Sequence, residues 1–328
     1  MDAKNNSVPV IASLPTDSPR PSLSVMIPTR EPGSYLVGAL RSVLRQALGP
    51  EQMQIAVVDD ASRSDVQALI EQAGGQGRVE LHTTDTNRGI SGNWNQCLQL
   101  ARGHIVHLLH QDDLIEDGFY RRMLPPFSRH PGVGMAFCRH AFIDSQNHTT
   151  RVSHREKWFA GVLGAWLERI ATKQRVQCPA VLVARAVYES VGGYRTDLRY
   201  ALDWEMWVRI AARYEVWYEP KVLASYRRHE ENESTRLLSA GKIGHDVVNA
   251  IELIGAHLPA ARRNDLLSEA YTSFASKTLK RLQREARASS DINSLLEPVK
   301  IALGRVTQHG QDAERLKALL SQIEQTST

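Results

Sequence analysis

Residues 104–113 read His104-Ile105-Val106-His107-Leu108-Leu109-His110-Gln111-Asp112-Asp113. The β-branched neighbours and the helix stop at Gly103 make the apolar part a buried strand. The two aspartates then stand where that strand surfaces. Ligands of open α/β sheets bind beyond the carboxyl ends of the strands. Paired acids there are a natural seat for a hard divalent cation such as Mg²⁺ or Mn²⁺, which prefers oxygen ligands. The alternative is a solvated acid pair at a strand-to-loop junction. The histidines recur every three residues, a spacing that would cluster them on a helix as metal ligands. On a strand His107 points away from His104 and His110, so the strand reading disfavours a site made of histidines alone.

Working outward, the chain up to this strand alternates between two periodicities. Leu23 to Ile27 and Ile55 to Val58 are apolar runs ending at Pro28 and at Asp59-Asp60, and Val79 and Leu81 mark a third strand. Between them Leu36, Leu40, Val43 and Ala47 recur at helical spacing, as do Val66, Leu69, Ile70 and Ala73 before Gly74-Gly75. Residues 92–101 read as a further helix. This order predicts an α/β fold, a mostly parallel sheet flanked by helices. From 133 to 228 the pattern is α+β, and beyond Arg236 only amphipathic helices follow. The expected organisation is a lead-in at 1–21, disordered from its Asn, Ser, Pro and Asp content, a domain at 22–238 made of halves 22–130 and 131–238, and a helical extension at 239–328.

The chain has 328 residues, 42% of them hydrophobic, and a formal net charge of +4. This permits a sizeable core and suits anionic small molecules or a lipid surface, but is too weak a charge to argue for nucleic acid. Cys97, Cys138 and Cys178 are far apart and form no CxxC, which fits a reducing cytoplasm rather than a disulfide framework. No stretch approaches the ~20 apolar residues of a membrane span, and residues 1–20 contain no continuous apolar signal-peptide core.

Four segments are candidates for one cleft: Pro28-Thr29-Arg30-Glu31, Asp59-Asp60-Ala61-Ser62, Asp112-Asp113 and Asp203-Trp204-Glu205-Met206-Trp207. In a parallel sheet the first three fall on one edge. Acids repeated there repel one another unless a cation or ligand donors compensate. Asp59-Asp60 as a loop start that helps cap the following helix, and Asp203 as the partner of Arg199 or Arg209, are the structural alternatives.

With these segments in hand the sequence resembles the inverting nucleotide-sugar glycosyltransferases of family 2, which have the GT-A fold. The matching residues are Ser24-Val25-Met26-Ile27-Pro28-Thr29, Val57-Val58-Asp59-Asp60-Ala61-Ser62, Asn87-Arg88-Gly89, Asp112-Asp113, Val191-Gly192-Gly193-Tyr194, Asp203-Trp204-Glu205-Met206-Trp207 and Tyr226-Arg227-Arg228-His229. The resemblance implies a metal-dependent transfer of sugar from a nucleotide sugar, UDP- or dTDP-linked, to a saccharide or lipid-linked glycan. It implies that Pro28, Thr29 and Glu31 line the nucleoside pocket, that Asp60 accepts a hydrogen bond from the base, and that Arg88 with its glycine approaches the diphosphate. Asp112 would face the ribose or metal, Asp113 and His229 would serve the Mg²⁺ or Mn²⁺, and Asp203 would be the catalytic base. Gly192-Gly193 would serve a turn and approach the sugar. The chain departs from the family pattern at His110 and Leu202, where acids are common, and at Glu31, where Asn is common.

Two rival functions share these features: a nucleotidyltransferase acting on a sugar phosphate, and a catalytically degenerate nucleotide-sugar-binding module. The helical extension adds a basic stripe, Lys277, Lys280, Arg281, Arg284 and Arg287. It is either a solvated face or a peripheral contact with the inner face of an anionic membrane.

Overall fold

The computed structural model describes residues 7–15, 19–229, 243–285, 292–306 and 311–327. The chain divides into two compact units. The first comprises residues 1–164, 176–197 and 213–229; the second comprises 165–175, 198–212 and everything from 230 onward. The boundary expected near Ser239 lies outside the described residues. The second unit also draws on two segments that the sequence reading placed in the 131–238 half.

The first unit carries a ten-stranded mixed sheet. Strands β1 (Leu23–Thr29), β2 (Met53–Asp59), β3 (Glu80–Thr83) and β4 (Ile105–Leu108) run parallel, as the βα alternation predicts, and the structure sets them in the order β3-β2-β1-β4. Every residue of β1, β2 and β4 is buried, which is why these strands read as continuous apolar runs rather than alternating ones. Helices α1 (Ser34–Leu44), α2 (Val66–Gln72) and α3 (Gly89–Leu100) make the crossovers, and the short α4 (Phe119–Met123), α5 (Pro125–Arg129) and α7 (Arg185–Val191) complete this unit's α-helices among the described residues.

Beyond β4 the direction reverses. β9 (Val181–Ala184) is antiparallel to β4 and to β6 (Val133–Ile143), and β6 pairs in parallel with the long β10 (Glu215–Arg227). The short β5 (Leu114–Ile115) and β8 (Gly161–Val162) pair antiparallel with β10, and β7 (Thr149–Val152) pairs antiparallel with β6. The sheet is thus that of a GT-A fold: parallel ladders with antiparallel strands added on one side.

Gly103 does more than stop a helix. A Cβ there would lie 2.5 Å from the Leu23 carbonyl carbon and the Ser24 nitrogen, so only glycine lets the chain enter β4 against β1. The neighbouring amides of Arg102 and Gly103 both donate to Ser24 Oγ.

The expectation of a disordered lead-in fails for residues 7–15. Ile11 is buried. The Pro9 and Ser7 carbonyls accept from the amides of Gly193 and Thr196, and the Ala12 carbonyl accepts from Arg185. Polar composition concealed a segment whose order comes from backbone pairing around one apolar anchor.

The second unit is helical: α6 (Trp166–Ala171), α8 (Leu202–Ala211), then Ile243–Ile254, Arg263–Glu285, Ile292–Gly304 and Gln311–Ser327. Leu279, Leu282, Leu295, Val299, Leu316 and Ile323 belong to its apolar core. Asp246 ties down the start of α8, its carboxylate accepting from the amides of Arg199, Tyr200 and Ala201. On the basic stripe Lys277 and Lys280 are exposed and Arg281 is half-buried; Arg287 lies outside the described residues. Among the described residues no helix is long and apolar enough to cross a membrane.

Candidate active site

The carboxyl ends of β1 and β2 are joined by hydrogen bonds. The amide of Asp60 donates to the Thr29 carbonyl. Asp59 turns the chain after β2 by accepting from both the amide and the hydroxyl of Ser62, and Ser62 Oγ accepts from the Glu31 amide at 2.7 Å. Glu31 and Ala61 both hold left-handed backbone, at φ 41° and 57°. Asn tolerates this region better than Glu, a physical reason for Asn to be expected at position 31. The Glu31 carboxylate takes the amide and guanidinium of Arg63. The Arg63 backbone hydrogen bond is the main cause that holds it below the usual carboxylate range.

Asp60 is buried, and its oxygens accept from the amides of Arg88 at 2.7 Å and Gly89 at 3.1 Å. Its negative charge therefore sits on the N-terminus of α3, where the helix dipole favours it. The Arg88 side chain is exposed and reaches Gln96. Pro28 and Thr29 are buried at the end of β1. Asn93 is a residue that sequence reading missed. Buried on α3, it donates to the carbonyls of Thr29 and Val58.

The acid pair after β4 lies beside the end of β10. Asp113 is fully buried. Its Oδ1 accepts from the Arg227 amide at 2.9 Å. Its Oδ2 has no hydrogen-bond partner and lies 3.5 Å from His110 Nδ1. Burial, reinforced by the Asp112 charge, pushes the Asp113 carboxyl up to about 6. Asp112 Oδ2 lies 3.1 Å from His229 Nε2. His110, Asp112 and Asp113 each offer one ligand atom, all within 4.8 Å of one another.

An orphaned, fully buried carboxylate oxygen beside a second acid and an imidazole fits a divalent cation. His229 touches this group through Asp112. His110, read from the sequence as a departure from the pattern and as one of three evenly spaced histidines, is part of the group itself, and its ring stacks on Trp94 at 4.7 Å.

Arg227 organises this corner. Its Nε donates to the Asp112 carbonyl, Nη1 to the Asp144 carbonyl and Nη2 to Asn147 Oδ1, and its guanidinium lies 4.4 Å from the Tyr35 ring centroid. Tyr35 also faces the His229 ring at 4.9 Å. Gln111 exchanges two hydrogen bonds with the Arg30 backbone, tying the loops after β1 and β4. The signal for Arg227 was in the quoted Tyr226-Arg227-Arg228-His229 run, but nothing local shows which arginine turns inward.

His107 is a core residue. Its Nε2–H donates to the Pro179 carbonyl, and its Nδ1 accepts from the Tyr120 hydroxyl, both at 3.1 Å. Burial drives its pKa down to about 3, so the ring is neutral. Gly193 also serves packing: a Cβ there would meet Asn95 Oδ1 at 2.2 Å. The Asn95 amide in turn brackets the Tyr194 backbone.

In the second unit Asp203 occupies the first turn of α8. Its Oδ2 accepts from Gln174 Nε2 at 2.7 Å and its Oδ1 from the Trp204 amide. The alternative pairing with Arg209 does not form, because Arg209 makes a two-pronged bridge to Glu205. Glu205 is fully buried and also meets His257 at 3.5 Å. Trp204 donates its indole N–H to the Ile170 carbonyl, and Trp207 is buried; both belong to the core.

The family profile described as "Glycosyl transferase family 2" matches residues 24–196. This chain belongs to glycosyltransferase family 2. An uncharacterized protein of Mycobacterium tuberculosis is 30% identical over 231 residues, which cover 67% of this chain and 71% of that protein. Chondroitin synthase of Escherichia coli is 23% identical over 231 residues, covering 70% of this glycosyltransferase and 32% of the synthase. The crystal structure of S. aureus TarS in complex with UDP-GlcNAc matches 93% of this chain and 88% of its own, with a TM-score of 0.69 and 16% identity. At that identity the likeness establishes the fold.

Proposed function

We propose that this glycosyltransferase moves a sugar, with inversion, from a nucleotide-sugar donor to a hydroxyl of a saccharide or lipid-linked glycan, with Mg²⁺ or Mn²⁺ as cofactor. The observation that carries this reading is the His110–Asp112–Asp113 group, in which a buried Asp113 oxygen has no hydrogen-bond partner. The UDP-GlcNAc complex of TarS supports a nucleotide-sugar donor, and chondroitin synthase among the relatives supports a polysaccharide acceptor. The same reading divides the chain into a nucleotide-binding half at 22–130, an acceptor-binding half at 131–238 and a helical extension.

In this reading Asp112 and Asp113 hold the cation, with His110 beside them and His229 steadying Asp112. A bound cation would neutralise charge growing on the departing diphosphate. Pro28, Thr29 and Glu31 border the nucleoside, and Asp60 meets the base through lone pairs that its two amide bonds leave over. Arg88 stands exposed for the diphosphate. The acceptor oxygen forms its bond to the anomeric carbon as the bond from that carbon to the diphosphate oxygen breaks. Asp203 takes the acceptor proton, a general-base contribution of about 10²–10⁴-fold.

The test is transfer itself: a panel of nucleotide sugars and saccharide acceptors with Mn²⁺ or Mg²⁺, read by product mass and anomeric NMR. Product of inverted configuration, abolished by EDTA, is the expected result. Donor binding without turnover under every metal and acceptor would leave the degenerate binding module. Pyrophosphate release from a nucleoside triphosphate would favour the nucleotidyltransferase.

A further inference from the structure

The loop from β7 to β8, Ser153-His154-Arg155-Glu156-Lys157-Trp158-Phe159-Ala160, ends in two adjacent aromatic side chains that are 75% and 78% exposed. Single exposed apolar residues are ordinary, but contiguous exposed apolar surface marks an interaction site. The loop is held at both stems. The Ser153 amide donates to the His140 carbonyl, its hydroxyl accepts from the His140 amide, and Arg139 donates twice to its carbonyl. The Glu156 amide donates to the Tyr218 hydroxyl, and after β8 the Leu163 amide donates to the Val216 carbonyl. The aromatic tip therefore projects from a braced base.

Its neighbours are basic. Arg155 and Lys157 within the loop are exposed, as is Arg151 on β7 just before it, and Glu156 is the one acid of the 153–160 loop. The Arg155 guanidinium lies 4.6 Å from the Trp158 ring centroid, the Arg151 guanidinium 4.1 Å from the Phe142 ring centroid, and Lys157 reaches back to the Val162 carbonyl. Tryptophan favours the boundary between hydrocarbon and headgroups, and basic side chains favour anionic headgroups. A saccharide site would instead need polar groups converging in a concave wall, whereas this tip is exposed from residue 157 to 160.

We propose that Trp158 and Phe159, with Arg151, Arg155 and Lys157, form a docking tip for an anionic lipid surface. The aromatic pair enters the interfacial layer while the cations meet lipid phosphates. This is a separate feature from the basic stripe on the helix Arg263–Glu285, and it does not depend on the metal site.

Co-sedimentation of the full chain with vesicles of phosphatidylcholine alone, or mixed with phosphatidylglycerol, tests this. The wild type should bind the mixed vesicles, more weakly as salt rises, and bind phosphatidylcholine poorly. Trp158→Ser with Phe159→Ser should weaken binding about ten-fold or more, the scale of 1.4 kcal/mol. Arg155→Glu with Lys157→Glu should weaken it at least as much, at about five-fold per lost cation. Donor binding and melting temperature should stay unchanged in both, because these side chains are exposed. Brominated lipid should quench emission of the wild type and not of Trp158→Phe.

Equal sedimentation of the aromatic variant and wild type would overturn the proposal. So would loss of binding only on Lys277→Glu with Lys280→Glu, which would move the contact to the helical stripe. Quenching of Trp158 by a soluble saccharide and not by vesicles would also overturn it, making the tip a glycan surface.

Discussion

The backbone amide of Arg227 donates to Oδ1 of Asp113 over 2.9 Å, joining residues 114 positions apart. The end of β10 thereby fixes one oxygen of a fully buried carboxylate while the other lies without a hydrogen-bond partner. The Arg227 guanidinium brings little relief to that charge, because it is engaged by two carbonyls and an asparagine. The carboxylate is thus anchored in position and electrostatically under-compensated, a state suited to a cation.

Asp113→Asn should separate these effects. The folded metal-free protein holds the Asp113 proton up to about pH 6, against a reference of 3.8. The folded state therefore binds more protons than the unfolded chain between those values. Stability from this group is fully present below them and is lost as pH rises through 6. Without metal, Asp113→Asn should match wild type near pH 4 and exceed it near neutrality. Mn²⁺ should raise the melting temperature of wild type and not of the variant. Thermal scans with EDTA or Mn²⁺ at both pH values check this. A wild type indifferent to Mn²⁺ in the presence of UDP would count against the site.

Asp203→Asn should keep donor affinity within about two-fold and lower turnover about 10²–10⁴-fold. Calorimetry with the donor and steady-state transfer rates separate the two effects. Turnover near the wild-type rate would remove Asp203 as the base.

Arg227→Lys should be strongly destabilising despite its conserved charge, because an ammonium cannot reproduce the planar fork. Losing the contacts to Asp112, Asp144 and Asn147 should cost about 2–4 kcal/mol in urea unfolding, together with weaker metal-dependent donor binding. An unfolding midpoint within error of wild type would show that these hydrogen bonds carry little.

His107 should contribute to acid sensitivity. Its folded pKa of about 3 lies below the reference of 6.5, so the unfolded chain binds the extra proton. The stability it contributes is present above 6.5 and is lost as pH falls toward 3. Unfolding free energy measured between pH 7 and pH 4 should fall by roughly one proton's worth of slope more in wild type than in His107→Gln. Parallel pH dependences would contradict the buried neutral ring.

Much of the fold was legible because burial is written into β1, β2 and β4 as unbroken apolar runs, with Gly74 and Gly103 as punctuation. The antiparallel additions were harder to see. β5 and β8 are two residues long and carry no period; β9 was legible as a strand from Val181 to Ala184, but its antiparallel direction depends on β4 and β6, which flank it. The lead-in misled because its order rests on the buried Ile11 and on hydrogen bonds from distant residues such as Gly193, Arg185 and Gln99. Among site residues, Asp112 and Asp113 announced themselves by position, and Asp60 by the strand before it. Asn93, Gln111 and Tyr35 did not, since their partners are 35 to 194 residues away.

By itself the sequence determined that the first four strands form a parallel sheet with helical crossovers, the carboxyl edge at which Asp60 and Asp113 stand, and the resemblance to the family. These follow from local periodicity and from which residue types end each strand. Only the tertiary structure decided that His110 joins the acids, that His107 turns into the core, that Arg227 rather than Arg228 braces Asp113, and that Trp158 and Phe159 face solvent. Each of those outcomes depends on what arrives from elsewhere in the chain to satisfy, or leave unsatisfied, a polar group or an apolar surface.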